Sequence, residues 1–122
     1  MAMDIVNLCK MIELLTDIKV NPIRFSETFG TETKLEITTG MVESGGIYDF
    51  NIEISVKAEH PSISEGICLD LINKLHRQTD VDFNGHQLVL CQADKPYPFY
   101  VGQMETGEYL FNCSFRLLTA KL

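Results

Sequence analysis

The sequence predicts an α+β fold with two layers. Two amphipathic helices pack on one face of a mostly antiparallel sheet of four to five strands, in the order α-β-β-β-α-β-β. Three observations predict it. Two stretches place apolar residues at three- and four-residue intervals, several others alternate apolar and polar residues strictly, and turn residues separate them. With 122 residues, 45% of them hydrophobic, the chain has the size of one unit with its own core, so residues 1–122 are read as a single domain.

From Asp4 to about Ile18, Ile5, Leu8, Cys9, Ile12 and Leu15 recur on one helical face, with Asp4 as the N-cap. Pro22 in "VNPIRF" breaks the pattern, and a short strand is expected around Ile23 and Phe25. "TKLEITTG" alternates as a half-buried strand, and "ESGG" supplies a turn. "YDFNIEISVKAE" then sets Tyr48, Phe50, Ile52, Ile54, Val56 and Ala58 on one face and polar residues on the other, which predicts a long strand with one core face. The second helix is read in "SISEGICLDLINKLHRQ", where Ser62 and Glu65 have capping-box spacing and Ile63, Ile67, Cys68, Leu71, Ile72 and Leu75 make the stripe. Gly66 inside it leaves room for a close backbone contact. Strands are expected from His86 to about Ala93 and from Tyr109 to about Thr119.

The net charge of -7 opposes attraction to nucleic-acid phosphates and to anionic lipid. No apolar run approaches the roughly 18 to 20 residues of a membrane span, and the start lacks signal-peptide character, so synthesis in the cytoplasm is expected. Cys9, Cys68, Cys91 and Cys113 are far apart and fall on apolar faces, which predicts buried thiols. "DVDFNG" at Asp80–Gly85 begins like a calcium loop, but the closing glutamate position holds Cys91; Asn84 and Gly85 suit a tight turn instead. His60, His76 and His86 lack metal-ligand spacing, so structural or surface roles are expected, His76 at a helix C-terminal end where the backbone dipole favours a cation. "GxSxG" is absent, and "GQMETG" is not a phosphate-binding pattern. The carboxylates Glu53, Glu59, Asp80, Asp82, Glu105 and Glu108 read as a solvated face, or as the lining of a DNA passage within an oligomer.

One stretch remains, "ADKPYPFYVGQMETGEYLF", from Ala93 to Phe111, between the last two expected strands. Its prolines make it a stiffened connection. Its Tyr97, Phe99, Tyr100 and Met104 are the residues expected to meet a protein partner, since aromatics and methionine anchor interfaces. The competing reading folds Phe99 and Tyr100 back over the end of the core.

The succession "FNIEISVKAEHPSISEGICLDLINKLHRQ" and the later "PYPFYVGQMETGEYLFNCSFRLL", roughly the C-terminal 75 residues, resemble the phage minor capsid and tail terminator family, the tail completion proteins of long-tailed phages. Family members often carry a basic residue after the second glycine, where this chain has Glu108. The resemblance implies a non-enzymatic virion assembly protein without a cofactor. It implies self-assembly as a ring, commonly of six, that caps the tail tube and joins tail to head. The implied partners are further copies, the tail tube protein and a head connector protein, with DNA only passing through the lumen. The implied location is the virion, and the host cytoplasm during assembly. Two other classes stay open on the residues alone: a small ligand- or protein-binding regulatory module using the sheet face around Asp49, Asn51 and Glu53, and an enzyme with an acidic or cysteine site assembled in space.

Overall fold

Asp4 caps the first helix as predicted, its carboxylate accepting from the Asn7 N–H at 2.8 Å. In the computed structural model, which describes residues 3–39 and 41–122, helix α1 spans Ile5–Thr16. Gly40, the last residue of the "TKLEITTG" strand reading, lies outside the described residues, as do Met1 and Ala2. The remaining elements are β1 (Asn21–Pro22), β2 (Glu32–Ile37), β3 (Val42–Ser44), β4 (Ile47–Ala58), α2 (Pro61–Leu75), β5 (Gln78–Phe83), β6 (His86–Ala93), β7 (Phe99–Gln103) and β8 (Tyr109–Lys121).

Among the described residues eight strands therefore stand where four to five were expected. β1 and β3 are two and three residues long, too short for alternation to register. β5 begins at Gln78 and takes in much of the acid-rich "DVDFNG", and Asn84 (φ 47°) and Gly85 (φ 79°) then form the predicted tight turn into β6. The expected strand around Ile23 and Phe25 is displaced to Asn21–Pro22, where a residue without an N–H is tolerated at the sheet edge.

The long pair β4–β8 is the spine, in register from Ile47 opposite Ala120 to Ala58 opposite Tyr109. The sheet runs β1-β2-β4-β8-β6-β5, with β3 beside the first residues of β4 and β7 beside the first residues of β8. β1 is parallel to β2, and the other ladders are antiparallel. Phe50, Ile52, Ile54 and Val56 of β4 and Phe115 and Leu117 of β8 form the core with Leu8 and Ile12 of α1 and Cys68, Leu71 and Leu75 of α2. This gives one sheet layer and one helical layer, as predicted.

Helix α2 corrects three details. His60 is the N-cap and Pro61 the first helical residue, so Ser62 lies inside the helix and forms no capping box. Ile63 is exposed, and the buried stripe is Ser64, Cys68, Leu71, Ile72 and Leu75. A Cβ placed on Gly66 meets nothing within 4 Å, so no close contact calls for the glycine. Gly66→Ala is expected to stabilise the fold by about 1 kcal/mol, seen as a higher urea midpoint at unchanged slope. His76 has a structural place there: its Nδ1 accepts the Ala93 N–H at 3.0 Å, tying the end of α2 to β6.

Candidate functional site

The stretch from Ala93 to Phe111 is more than a connection, because its middle forms β7, paired with the first residues of β8. A bulge between Tyr100 and Gly102 lifts Val101 out of the alternation, and Gly102, at φ 148°, supplies the backbone shape. The Gly107 N–H to Met104 O bond and the Met104 N–H to Glu108 O bond then close the turn into β8. Met104 is half-buried at this turn, so of the four expected interface residues it is the one that faces inward in part.

The other three are exposed: Tyr97 is 75% accessible, Phe99 68% and Tyr100 48%, and Val101, which sequence reasoning missed, is 46% accessible. They occupy two faces. Phe99 lies opposite Asn112, on the sheet face away from the helices. Tyr100 lies opposite Phe111 and packs on its ring at a centroid distance of 5.1 Å. Tyr100 thus partly follows the competing reading, covering the edge of the core, while Tyr97 and Phe99 project free. Among the described residues no strand lies on the outer side of β7.

Tyr97 and Phe99 wall a cleft of about 210 Å³ whose floor includes Glu53 and Asn112. The Asn112 Oδ1 is buried there without a hydrogen-bond partner among the described residues. Glu53 lies directly across the ladder from Glu36, a repulsive arrangement. Lys34 pairs with Glu36 at 2.9 Å, whereas Glu53 has no ion pair among the described residues. Farther along the same face the polar groups are used internally. Arg116 grips Asp49 through two hydrogen bonds of 3.0 and 2.6 Å and holds its carboxyl below the ordinary range, and the Asn51 N–H donates to Thr39 Oγ1.

At the other end of that face lies an ionic cluster that sequence reasoning missed. Lys57 Nζ donates to Glu108 Oε2 and to Thr28 O, both at 2.8 Å, and stands 3.4 Å from Glu32. Glu108 is fully buried and also accepts from the Gly30 N–H and the Thr106 hydroxyl. The Lys57 ammonium, the Thr106 hydroxyl and the Gly30 amide together outweigh burial and pull its carboxyl down to about 2. Phe25 caps the cluster, with Lys57 5.4 Å from its ring centre. Glu108 is therefore not part of a solvated face. It pins the segment between β1 and β2 to the β7–β8 turn, and nothing in the alternation of β4 could reveal a cover supplied by residues 25 to 30.

The cysteines are buried and free, as expected. Burial pushes the Cys91 thiol up to about 12, with Asp94 adding to it, and Cys113 is pushed up by its hydrogen bond with Cys68 and by burial. Such thiols are poor nucleophiles. A second cleft, of about 300 Å³, lies where Ile72 of α2 and the capping His76 face Ala93 and Pro96, and its lining contains no cysteine. Among the described residues no group of three or more His, Cys, Asp or Glu side chains is placed to hold a metal, and no helix is long and apolar enough to cross a membrane.

No family model and no curated protein sequence matches the chain. Its fold does have a counterpart. The chain superposes on a chain from a structure described as the virion of a native gene transfer agent (GTA) particle. The TM-score is 0.57 at 14% sequence identity, over 89% of this chain and 84% of that one. The shared property is the arrangement of the sheet and helices, reached with few residues in common.

Proposed function

We propose that this chain is a non-catalytic structural subunit of a phage-like virion, which assembles into a ring, caps the tail tube and joins tail to head. The observation that carries the proposal is the exposed aromatic segment Tyr97–Val101 at a free sheet edge, on a fold shared with a chain of a virion particle. An isolated subunit gains nothing from leaving two aromatic rings and a valine in water beside an unpaired strand edge, whereas an assembling one buries them. Ring closure uses contacts between two different patches on each copy, and this segment supplies one of them.

The chemistry of the rest of the surface is compatible with that role. The net charge of -7 keeps DNA from adhering to a lumen it must pass through. The thiols are buried. In this reading the partners are further copies, six being the commonest number in the resembling family, with the tail tube protein on one side and the head connector protein on the other. The protein resides in the virion after assembly in the host cytoplasm.

Negative-stain microscopy of the purified chain, alone and mixed with tail tubes, tests the proposal. Rings, or tubes of uniform length each closed by a cap, are the expected result. A chain that forms no ring and leaves tube ends bare would overturn it.

A further inference from the structure

We infer that the cleft between Tyr97 and Phe99 receives Arg24 of a neighbouring copy of this chain, so that an Arg24–Glu53 pair fixes the head-to-tail contact. The inference rests on the ring reading and names the two surfaces that meet.

The cleft has the chemistry of a site for a cationic side chain. Its floor presents the Glu53 carboxylate, which has no ion pair among the described residues and is repelled by Glu36 across the ladder. Beside it the Asn112 Oδ1 is a buried acceptor without a partner among the described residues. Two exposed aromatic rings form the walls, suited to an arginine stem and to the flat face of a guanidinium. Asp94 and Lys95 at the rim offset one another in charge.

The occupant is presented on the opposite edge of the sheet. After β1 the chain makes a three-residue turn, with the Arg24 N–H donating to Pro22 O at 2.8 Å and Ile23 held at φ 71°. A β-branched residue in that conformation is strained, and such turns are rare. The turn leaves Ile23 58% exposed and Arg24 exposed, with no ion pair to Arg24 among the described residues. The strain thus presents an apolar residue and a cation side by side, the two features the cleft receives.

The topology puts donor and receptor in line. Asn21, Lys34, Ser55, Asn112 and Phe99 form one register row across five strands, from the β1 edge to the β7 edge. Ile23 and Arg24 follow directly on β1, and Glu53 lies two rows along, on the same face as Ser55. Two unlike patches at opposite ends of one row are what a heterologous contact requires, while a two-fold contact would bring like patches together. The Lys57–Glu108 cluster holds the segment after Arg24 against the β7–β8 turn, so the two patches are mechanically joined within each copy.

The test is charge exchange, read by analytical ultracentrifugation over a concentration series and by ring counts on tail tubes. Arg24→Glu and Glu53→Arg are each expected to weaken association roughly 100-fold at unchanged melting temperature. The Arg24→Glu/Glu53→Arg chain is expected to recover to within roughly tenfold of native. Glu53→Gln, which keeps the shape, serves if the arginine variant fails to fold, and is expected to weaken association as well. Native association that ignores the single changes, or a double variant that fails to recover, overturns the pairing and leaves the ring reading standing. A native chain that associates neither with itself nor on tubes overturns both.

Discussion

Replacing Tyr97 and Phe99 together with alanine is expected to abolish assembly while shifting the melting temperature by no more than about 3 °C. Both rings are mostly in water in the isolated chain, so their removal takes little from the fold. Buried in a contact, aromatic anchors of this kind each cost about 2–4 kcal/mol when truncated, so losing both amounts to a factor of roughly a thousand or more in affinity. Tyr100→Ala serves as the contrast. Its ring packs on Phe111, so it is expected to cost stability, about 0.5–1.5 kcal/mol for the ring pair beyond the area it covers. Circular dichroism melts together with ring counts decide the matter. Rings that persist in the double variant would remove this edge from the assembly contact, and unfolding of the double variant would assign Tyr97 and Phe99 to the core.

Breaking the Lys57–Glu108 pair is expected to have the largest effect on stability. Lys57→Met leaves a fully buried carboxylate facing a thioether, and the melting temperature should fall by roughly 10 °C or more. The partner change Glu108→Leu in the same chain should restore much of that loss, because the cost lies in the uncompensated charge rather than in the missing bond. The pH dependence separates this from a loss of packing. In the native chain the Glu108 carboxyl titrates at about 2, below the 4.5 of a free glutamate, so the folded state holds the proton less readily. Its contribution is complete above about pH 4.5 and is lost as the pH falls towards 2. In Lys57→Met, burial without the ammonium raises the carboxyl instead, protonation relieves the strain, and the difference from native should shrink on acidification. Melting curves between neutral and acid pH check this, and a gap that stays constant with pH would show that Glu108 does not sense Lys57.

The two patches of the proposed ring contact bear on the same cluster. Because Glu108 and Lys57 hold Gly30 and Thr28, loosening them should free the segment that begins at the strained Ile23 turn. Lys57→Met is therefore expected to weaken association as well as stability. The Glu108 charge is the partner of Lys57 at 2.8 Å.

Much of this architecture was legible from periodicity. Both helices, the β4–β8 spine, the Asn84–Gly85 turn, the buried thiols and the exposed Tyr97 and Phe99 all follow from local pattern, because backbone geometry fixes the direction in which successive side chains point. Other features were not legible. β1 and β3 are too short to show a period, and β7 was hidden among prolines and glycines that read as a loop. Ser62 is not the cap, because the helix starts at Pro61 and His60 takes the cap position two residues earlier. Lys57 looks like an ordinary solvent-facing position of its strand, and Glu108 like an ordinary turn residue, until residues 25 to 30 are laid over them.

The sequence by itself determined both helices and the long strands, which of their faces are apolar, and that one aromatic stretch is left over. Only the tertiary structure decided which polar residues are buried and which strand edges stay free. It paired Lys57 with Glu108, fifty-one residues away, left Glu53 without an ion pair and the Asn112 Oδ1 without a hydrogen bond among the described residues beside Tyr97 and Phe99, and set Arg24 on the opposite edge. The physical reason is range: side-chain direction repeats every two or 3.6 residues and is written locally, whereas burial and charge pairing depend on what distant segments bring to the same place.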